Sequence, residues 1–87
     1  MIEIFTDHAW EDYLYWQSTD KSMLKKINAL IKDIERTPFS GLGKPEPLRH
    51  ELSGFWSRRI DPGHRLIYKV EADSIQIVQC RHHYDYD

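Results

Sequence analysis

The sequence predicts an α+β fold, with two N-terminal helices packed on one face of a small antiparallel sheet. In the first half of the chain, apolar residues recur with a helical period in two consecutive stretches, 10–17 and 23–34. In the second half, short stretches rich in β-branched and aromatic residues alternate with turn-forming residues, which is typical of antiparallel strands. The 87 residues suffice for one small domain, residues 1–87. Helices on one face would leave the other face available to a ligand.

The first strand and the first helix follow one another directly. Ile2 and Ile4 alternate with polar residues, so residues 2–5 are predicted to form a strand. Thr6 or Asp7 is the expected N-cap of the helix that follows. The apolar stripe of this helix is predicted to face the sheet or the second helix, and it comprises Trp10, Tyr13, Leu14 and Gln17.

The second helix is predicted to begin after Asp20, its N-cap, and to end at Thr37, because Pro38 cannot continue it. Its apolar positions are Met23, Leu24, Ile27, Leu30, Ile31 and Ile34. The positions between them carry Lys21, Lys25, Lys26 and Lys32. These lysines fit either a solvated helix face or a set of contacts to nucleic acid.

A loop rich in glycine and proline, residues 39–47, follows the second helix. Pro45 and Pro47 flank Glu46 and restrict the backbone on both sides. We therefore expect the Glu46 carboxylate to project from a stiff, extended segment. Residues 48–52 are expected to form the second strand.

A β-hairpin is predicted over residues 55–68, with Asp61-Pro62-Gly63 as its turn. Its turn would place Arg59 opposite Arg65. Like charges that face each other destabilise a sheet, and a phosphate between these two guanidinium groups would remove that cost. The alternative is an edge that carries solvated surface arginines. Trp56, Leu66 and Tyr68 are predicted to lie on the core face of the hairpin. A three-residue turn pairs Ile60 with His64 and Arg59 with Arg65.

The net charge of −2 is unevenly distributed along the chain. Residues 44–69 carry a net charge of +3, whereas residues 1–43 and 70–87 carry −2 and −3. A local basic patch on a mildly acidic protein favours binding of a polyanion at one place. The basic residues of this patch are Lys44, Arg49, Arg58, Arg59, Arg65 and Lys69.

Cleavage of RNA by its own 2′-hydroxyl requires a base, an acid and cations that stabilise the charge on phosphorus. Glu46 is the candidate base, Arg59 and Arg65 are the candidate phosphate clamp, and His82 or His83 is the candidate acid. The last strand is predicted over about residues 74–82, and the length of the turn before it decides which histidine shares the face of Arg65. Two central turn residues favour His82, three favour His83, and a β-bulge reverses either answer.

Several functional classes are disfavoured by the composition. Cys80 stands alone and cannot form an internal disulfide, which fits a reducing cytoplasm. No apolar run approaches a membrane span, and the N-terminus does not resemble a signal peptide. No Cys/His pair has zinc spacing, so a metal site is not expected. No glycine-rich phosphate loop precedes a helix, and no other cofactor is expected.

Several stretches carry a specific similarity to a known family. They are residues 12–16 (DYLYW), 37–39 (TPF), 43–48 (GKPEPL), 52–60 (LSGFWSRRI), 64–68 (HRLIY) and the pairs Cys80-Arg81 and His83-Tyr84. Across these stretches, from Trp10 to Tyr84, the chain resembles the YoeB toxins of toxin–antitoxin systems, within the RelE superfamily. The resemblance implies a small endoribonuclease that uses no metal, cleaves mRNA on the ribosome and is silenced by a YefM-like antitoxin.

The resemblance also implies roles for individual residues. Glu46 would be the general base, His83 the general acid, and Arg65 the residue that stabilises the phosphate, with Arg59 beside it. His82 would be a spectator or a phosphate contact. Lys44, Arg49 and Tyr84 would contact RNA or lie near the site. The chain departs from the family pattern in its last residues, Asp85-Tyr86-Asp87, whose carboxylates lie next to the proposed acid.

Partners and competing functions follow from the same residues. The basic face would be covered by the acidic antitoxin, and Trp10, Tyr15 and Trp16 are candidate exposed aromatics at that interface or at a homodimer contact; for Trp10 a core position fits equally well. The alternatives to a ribonuclease are a non-catalytic gyrase poison like the ParE toxins and an RNA-binding module without chemistry. Glu46 and the His83-Tyr84 end favour the ribonuclease.

Overall fold

A computed structural model of the chain describes residues 1–83. Two helices, five strands and one short 3₁₀ turn succeed one another along this part of the chain. The elements are β1 (Ile2–Phe5), α1 (Asp7–Thr19), α2 (Lys21–Arg36), β2 (Glu46–Pro47), the 3₁₀ turn His50–Leu52, β3 (Trp56–Asp61), β4 (His64–Val70) and β5 (Ser74–Gln79).

The five strands form one sheet in the order β1-β5-β4-β3-β2. Strands β2 to β5 pair antiparallel with their neighbours, whereas β1 pairs parallel with β5. The predicted α+β class is confirmed, and the sheet is mixed rather than wholly antiparallel. Parallel neighbours cannot be joined by a tight turn, and β1 and β5 are not: between them the chain runs through both helices and the other three strands.

Both helices begin at the predicted caps. The Thr6 hydroxyl accepts a hydrogen bond from the Ala9 N–H at 3.1 Å. The Asp20 carboxylate accepts bonds from the N–H groups of Ser22 and Met23 at 3.0 and 3.3 Å. Such caps satisfy backbone donors that have no partner within the helix. The buried residues of α2 match the predicted stripe and are Met23, Ile27, Leu30, Ile31 and Ile34.

The first helix buries a different face from the predicted one. Its buried residues are Ala9, Asp12 and Trp16, whereas Trp10 is 47% exposed and Leu14 is 41% exposed. The prediction that Trp16 is an exposed aromatic is therefore wrong. Long-range hydrogen bonds explain the difference: the Trp16 indole N–H donates to Cys80 O at 2.9 Å, and the Asp12 carboxylate accepts from Cys80 N–H at 3.1 Å. An apolar period cannot reveal a helix face that contains a buried carboxylate.

The predicted strand at residues 48–52 is absent, because β2 ends at Pro47 and a 3₁₀ turn follows. His50 adopts a φ of +57°, which is incompatible with an extended strand. Leu48 instead packs on Ile67, on the face of the sheet that points away from the helices. Partly buried apolar residues surround this pair: Leu52, Phe55 and Val78. The helix-free face is thus partly covered by this cluster.

The main core lies between the helices and the opposite face of the sheet, and includes Leu66 and Tyr68 as predicted. Cys80 is buried at its border, one residue after β5, which ends at Gln79 rather than near residue 82. Within residues 1–83, neither helix is long and apolar enough to cross a membrane. That the whole of residues 1–87 forms one domain stays a prediction.

Candidate active site

The register of β2, β3 and β4 brings three of the predicted site residues onto one face of the sheet. Glu46 lies opposite Ser57 on β3, and Arg59 lies two residues further along that strand, hence on the same face. Arg59 is directly opposite Arg65, as predicted. Glu46 and Arg65 are two strands apart, a lateral separation of roughly 10 Å.

The hairpin end differs from the predicted register by one residue. Asp61, not Ile60, lies opposite His64, and the pairing shifts between Arg59 and Asp61. The extra residue is Ile60, whose side chain is buried in the main core. A β-bulge at this position accounts for the shifted register and leaves the Arg59–Arg65 pair in place. The burial of Ile60 itself follows from strand alternation, because Ile60 lies two residues from Arg58.

The guanidinium of Arg65 is folded onto the hairpin turn rather than extended into solvent. Its Nη1 donates to three carbonyl oxygens, those of Asp61 at 2.8 Å, Pro62 at 3.2 Å and His64 at 3.1 Å. The residue is only 7% exposed, whereas Arg59 is exposed. These bonds all use Nη1, whereas the Nε–Nη2 edge is the one whose geometry suits two parallel hydrogen bonds to an oxyanion.

The C-terminal segment passes beside Arg65. A register shift in the β4–β5 pair changes the partner from Tyr68–Ile77 to Ile67–Gln79, so one extra residue lies on β5. This is the bulge that reverses the face expected from a short turn. After β5 the peptide N–H of Arg65 donates to the His82 carbonyl at 3.0 Å.

The backbone leaves strand geometry before His83. His82 has a φ of +69°, in the left-handed region. Strand parity therefore does not extend to the two histidines, and the choice of His83 as the acid stays a prediction. His82 and His83 are both exposed, and His83 directly follows the residue that is bonded to Arg65.

A close contact between the glycine-rich loop and β3 sets the position of Glu46. The Gly43 carbonyl accepts a hydrogen bond from the Arg59 N–H at 2.7 Å, and Gly43 has a φ of +78°. A Cβ at this position would lie 2.9 Å from both Arg59 O and a methyl group of Leu30. Only glycine permits this approach. Two further predicted RNA contacts, Lys44 and Arg49, are exposed on either side of β2.

Comparison with known proteins identifies the family. A family model described as the YoeB-like toxin of bacterial type II toxin–antitoxin systems matches residues 5–84. The chain belongs to this family. Toxin YoeB of Escherichia coli (strain K12) is 64% identical over 81 residues, which cover 93% of this chain and 96% of that protein.

Solved structures of YoeB proteins have the same fold. The YoeB/ParE toxin from Agrobacterium tumefaciens superposes with a TM-score of 0.94 at 49% identity, over 97% of this chain and 100% of that one. YoeB from Staphylococcus aureus is 47% identical and covers 97% of this chain and 98% of its own. The structure of its dimer superposes on this chain with a TM-score of 0.92. The structure of its heterotetrameric complex with YefM superposes with a TM-score of 0.91.

One member of the predicted basic patch has a structural role in this YoeB-like toxin. Arg58 has no exposed surface, so its inclusion among the residues that attract a polyanion is wrong. Its Nη1 donates to the Asp33 carboxylate at 2.6 Å, and its Nε donates to the Tyr68 hydroxyl at 3.1 Å. Strand parity would have revealed this role, because Arg58 lies two residues from Trp56, on the face already assigned to the core.

Sequence reasoning also missed the residues that hold the end of the chain. Asp12 and Trp16 bind the two backbone groups of Cys80, and the ring of His64 accepts a bond from the His82 N–H at 2.7 Å. No local sequence pattern predicts these contacts, since the partners are 18 to 68 residues apart. Tyr84 and the Asp85-Tyr86-Asp87 end lie outside the described residues. Among residues 1–83, no group of three or more His, Cys, Asp and Glu side chains is arranged to hold a metal ion.

Proposed function

We propose that this YoeB-like toxin is a metal-independent endoribonuclease that cleaves mRNA on the ribosome and thereby inhibits translation. The observation that carries the proposal is the common face of Glu46, Arg59 and Arg65, next to the segment that leads to His83. A carboxylate, two guanidinium groups and an imidazole are the groups that 2′-hydroxyl attack on a phosphodiester requires.

The chemistry is a transesterification in which each proton has an assigned acceptor. Glu46 takes the proton from the 2′-hydroxyl, and the 2′-oxygen forms a bond to phosphorus. The bond from phosphorus to the 5′-oxygen breaks, and His83 donates its proton to this leaving oxygen. The products are a 2′,3′-cyclic phosphate on one fragment and a free 5′-hydroxyl on the other. A histidine suits the acid role because it holds and releases a proton near neutral pH.

The arginines stabilise the charge that develops on the phosphate oxygens. Arg65 is held by the turn carbonyls, so its Nε–Nη2 edge needs little reorganisation when the transition state forms. Arg59 is exposed and adds a second positive charge on the opposite strand. Lys44 and Arg49 extend this charge toward flanking phosphates, and Tyr84 is a further candidate contact. The side chains proposed here supply both proton transfer and charge stabilisation, and the proposal includes no cofactor.

A YefM-like antitoxin is the proposed inhibitor. The S. aureus relative, which is 47% identical, forms a heterotetramer with YefM and also occurs as a dimer. An acidic antitoxin segment over the basic face would exclude RNA from Arg59 and Arg65. Because the S. aureus relative also occurs as a dimer, we propose a homodimer in the absence of antitoxin. The ribosome as target places the toxin in the cytoplasm.

Primer-extension mapping of cleaved message, in translation reactions with and without ribosomes, tests the proposal. Glu46→Gln and His83→Gln should each lower the cleavage rate by about 10²- to 10⁴-fold, because each removes one proton-transfer group. Glu51→Gln and His50→Asn are matched controls, since both residues are exposed and lie in the 3₁₀ turn. The controls should cleave at the wild-type rate.

The same reactions separate the alternatives. Full inhibition of translation by both site variants, without cleaved message, would indicate a binding module and overturn the catalytic assignment. Inhibition of gyrase in place of translation would indicate a ParE-like poison. Cleavage of message at equal rates with and without ribosomes would remove the ribosome from the proposal.

A further inference from the structure

The His82 backbone is held on both sides by neighbouring residues of β4. The His82 N–H donates to Nδ1 of His64 at 2.7 Å, and the His82 carbonyl accepts from the Arg65 N–H at 3.0 Å. Between these two bonds His82 adopts its φ of +69°. A left-handed conformation is costly for a residue with a Cβ, so external bonds must maintain it. The two bonds to β4 do so together with a bond that Gln79 Nε2 donates to the His82 carbonyl at 3.3 Å.

We propose that His64 is a positioning residue of the ribonuclease site, whose neutral imidazole holds the left-handed turn at His82 and thereby directs His83 toward Arg65. The inference rests on the proposed function, because it assigns His64 an effect on the proposed acid. His64 itself touches neither the substrate nor the reacting atoms. Its role follows from the hydrogen bond that it accepts and from its place beside Arg65.

The bond can form in only one state of the His64 ring. Nδ1 accepts a hydrogen bond only when it carries no proton, so the neutral ring holds its proton on Nε2. Protonation of the ring converts Nδ1 into a donor that faces the N–H of His82. The hydrogen bond is then lost, and two donors oppose each other. The turn at His82 would relax, and the direction in which the chain continues into His83 would change.

Packing keeps the His64 ring in place. The ring meets the edge of Trp16 at a centroid distance of 4.8 Å, and Trp16 is buried. Because α1 presents an indole here, the helix brings no charge to this contact. The charged or titratable groups around His64 come from the other elements: the His82 ring with its centroid at 5.8 Å, Asp61 opposite in the hairpin, and the Arg65 guanidinium bonded to His64 O.

Protonation of His64 would remove the positioning of the turn, whereas protonation of Glu46 would remove the proposed base. A variant at position 64 separates these two events. His64→Asn retains an acceptor oxygen close to the Nδ1 position and has no ring to protonate. His64→Leu has a similar apolar volume and no acceptor. His50→Asn is the matched control, because it makes the same substitution at an exposed histidine. Like His82, His50 has a positive φ.

The first experiment uses NMR on the full chain without RNA, so its outcome does not depend on the proposed catalysis. With uniform ¹⁵N labelling, a coupling across the hydrogen bond between the His82 amide nitrogen and His64 Nδ1 is expected while the His64 ring is neutral. The coupling should vanish when acid protonates the ring, an event that the chemical shifts of the ring nitrogens report directly. In the same acidic samples the His82 amide should remain protected from exchange in His64→Asn but not in the wild type, His50→Asn or His64→Leu. A coupling that is absent from the neutral ring, or one that persists in the protonated ring, overturns the proposal.

The second experiment measures the rate of message cleavage on ribosomes between pH 5 and 8. The wild type and His50→Asn should lose activity when the His64 ring is protonated, whereas His64→Asn should retain its activity at the same pH. His64→Leu should lose on the order of 10²-fold in rate at pH 8, the size of effect that misplacement of a catalytic group produces. An unchanged acid limb in His64→Asn, with the NMR coupling present, overturns the positioning role while leaving the ribonuclease proposal intact.

Discussion

The carboxylate of Asp33, near the end of α2, accepts a hydrogen bond from Nη1 of Arg58 in β3 at 2.6 Å. Arg58 also binds three carbonyl oxygens and one hydroxyl, those of Thr37, Ser40, Leu42 and Tyr68. One buried cation thus joins the end of α2, the loop that follows it and the sheet. This loop leads into the segment that carries Glu46, so the ion pair supports the candidate active site from the core side.

Replacing Arg58 should destabilise the protein strongly. Arg58→Met leaves the Asp33 carboxylate and three carbonyls without a cation that is itself fully buried, and such a loss is strongly destabilising. The free energy of unfolding, measured by urea denaturation, gives the result. Arg59→Met is the matched control, because Arg59 is the next residue and is exposed. Its effect should stay within about 0.5 kcal/mol. Equal stability of the two variants would contradict the structural role of Arg58.

The stability of the protein should depend on the ionisation of Asp33 in acid. The hydrogen bond from the Leu42 N–H, followed by the bond and charge of Arg58, lowers the pKa of Asp33 below its ordinary value. The carboxylate is therefore more favourable in the folded state, and its stabilisation is complete above the ordinary aspartate pKa of about 3.9. It is lost as the pH falls from there through the lowered pKa of the folded state.

Urea denaturation between pH 5 and pH 2 tests this dependence. Asp33→Asn should be less stable than the wild type at pH 5, and its free energy of unfolding should fall less steeply toward pH 2. Asp73→Asn is a suitable control, since Asp73 is exposed in the turn between β4 and β5. The control should keep the wild-type slope. An identical slope in Asp33→Asn would show that another group causes the acid sensitivity.

Gly43→Ala should affect both stability and cleavage. The added methyl group would meet Arg59 O and Leu30 at 2.9 Å, and the φ of +78° is unfavourable for alanine. Overpacking adds about 1 to 3 kcal/mol to the cost of a left-handed residue, itself about 1 to 2 kcal/mol. Movement of the loop away from β3 should also displace Glu46 and lower the cleavage rate.

Gly54→Ala separates the two contributions to that cost. Gly54 has a φ of +95°, but nothing lies within 4 Å of a Cβ at this position. Thermal or urea unfolding of this variant therefore reports the backbone cost alone. Cleavage should remain at the wild-type rate. Equal losses in the two glycine variants would exclude the close contact with Arg59 as the reason for glycine at position 43.

The thiol of Cys80 should be unreactive in the folded protein. Burial, with a further contribution from the negative charge of Asp12, raises the pKa of Cys80 to about 12. The thiolate is the reactive form, so little of it is present at pH 8.5, and the side chain is also inaccessible. Iodoacetamide followed by mass spectrometry should label the protein in concentrated urea and leave the native protein unmodified. Ala72→Cys, at an exposed position, should be labelled in the native state, and equal labelling of Cys80 would contradict its burial.

Much of the fold could be predicted because local rules govern it. Thr6 and Asp20 cap the helices through bonds to residues two or three positions away, and the regular period of α2 determines which of its residues are buried. The Arg59–Arg65 pair likewise follows from a tight turn and the pleat of two strands. In each case the partners are close in sequence.

The features that could not be predicted depend on residues far apart in the chain. The mistaken interior of α1 is the clearest example, since Trp16 is buried through a bond to a carbonyl 64 residues away. Which face of the sheet His82 and His83 share could not be predicted for the same reason. The answer depends on a bulge in β5, and a bulge cannot be recognised in the hydrophobic pattern.

The amino-acid sequence by itself determined the α+β class, the helix boundaries, the central hairpin and the family to which the chain belongs. Only the tertiary structure decided that Arg58 is a buried structural cation, that Arg65 is folded onto its turn, and that His64 holds the backbone of His82. The physical reason is that a polar side chain is stable in the interior only where hydrogen-bond partners lie beside it. Those partners are brought together by the packing of distant segments and not by the spacing of neighbours.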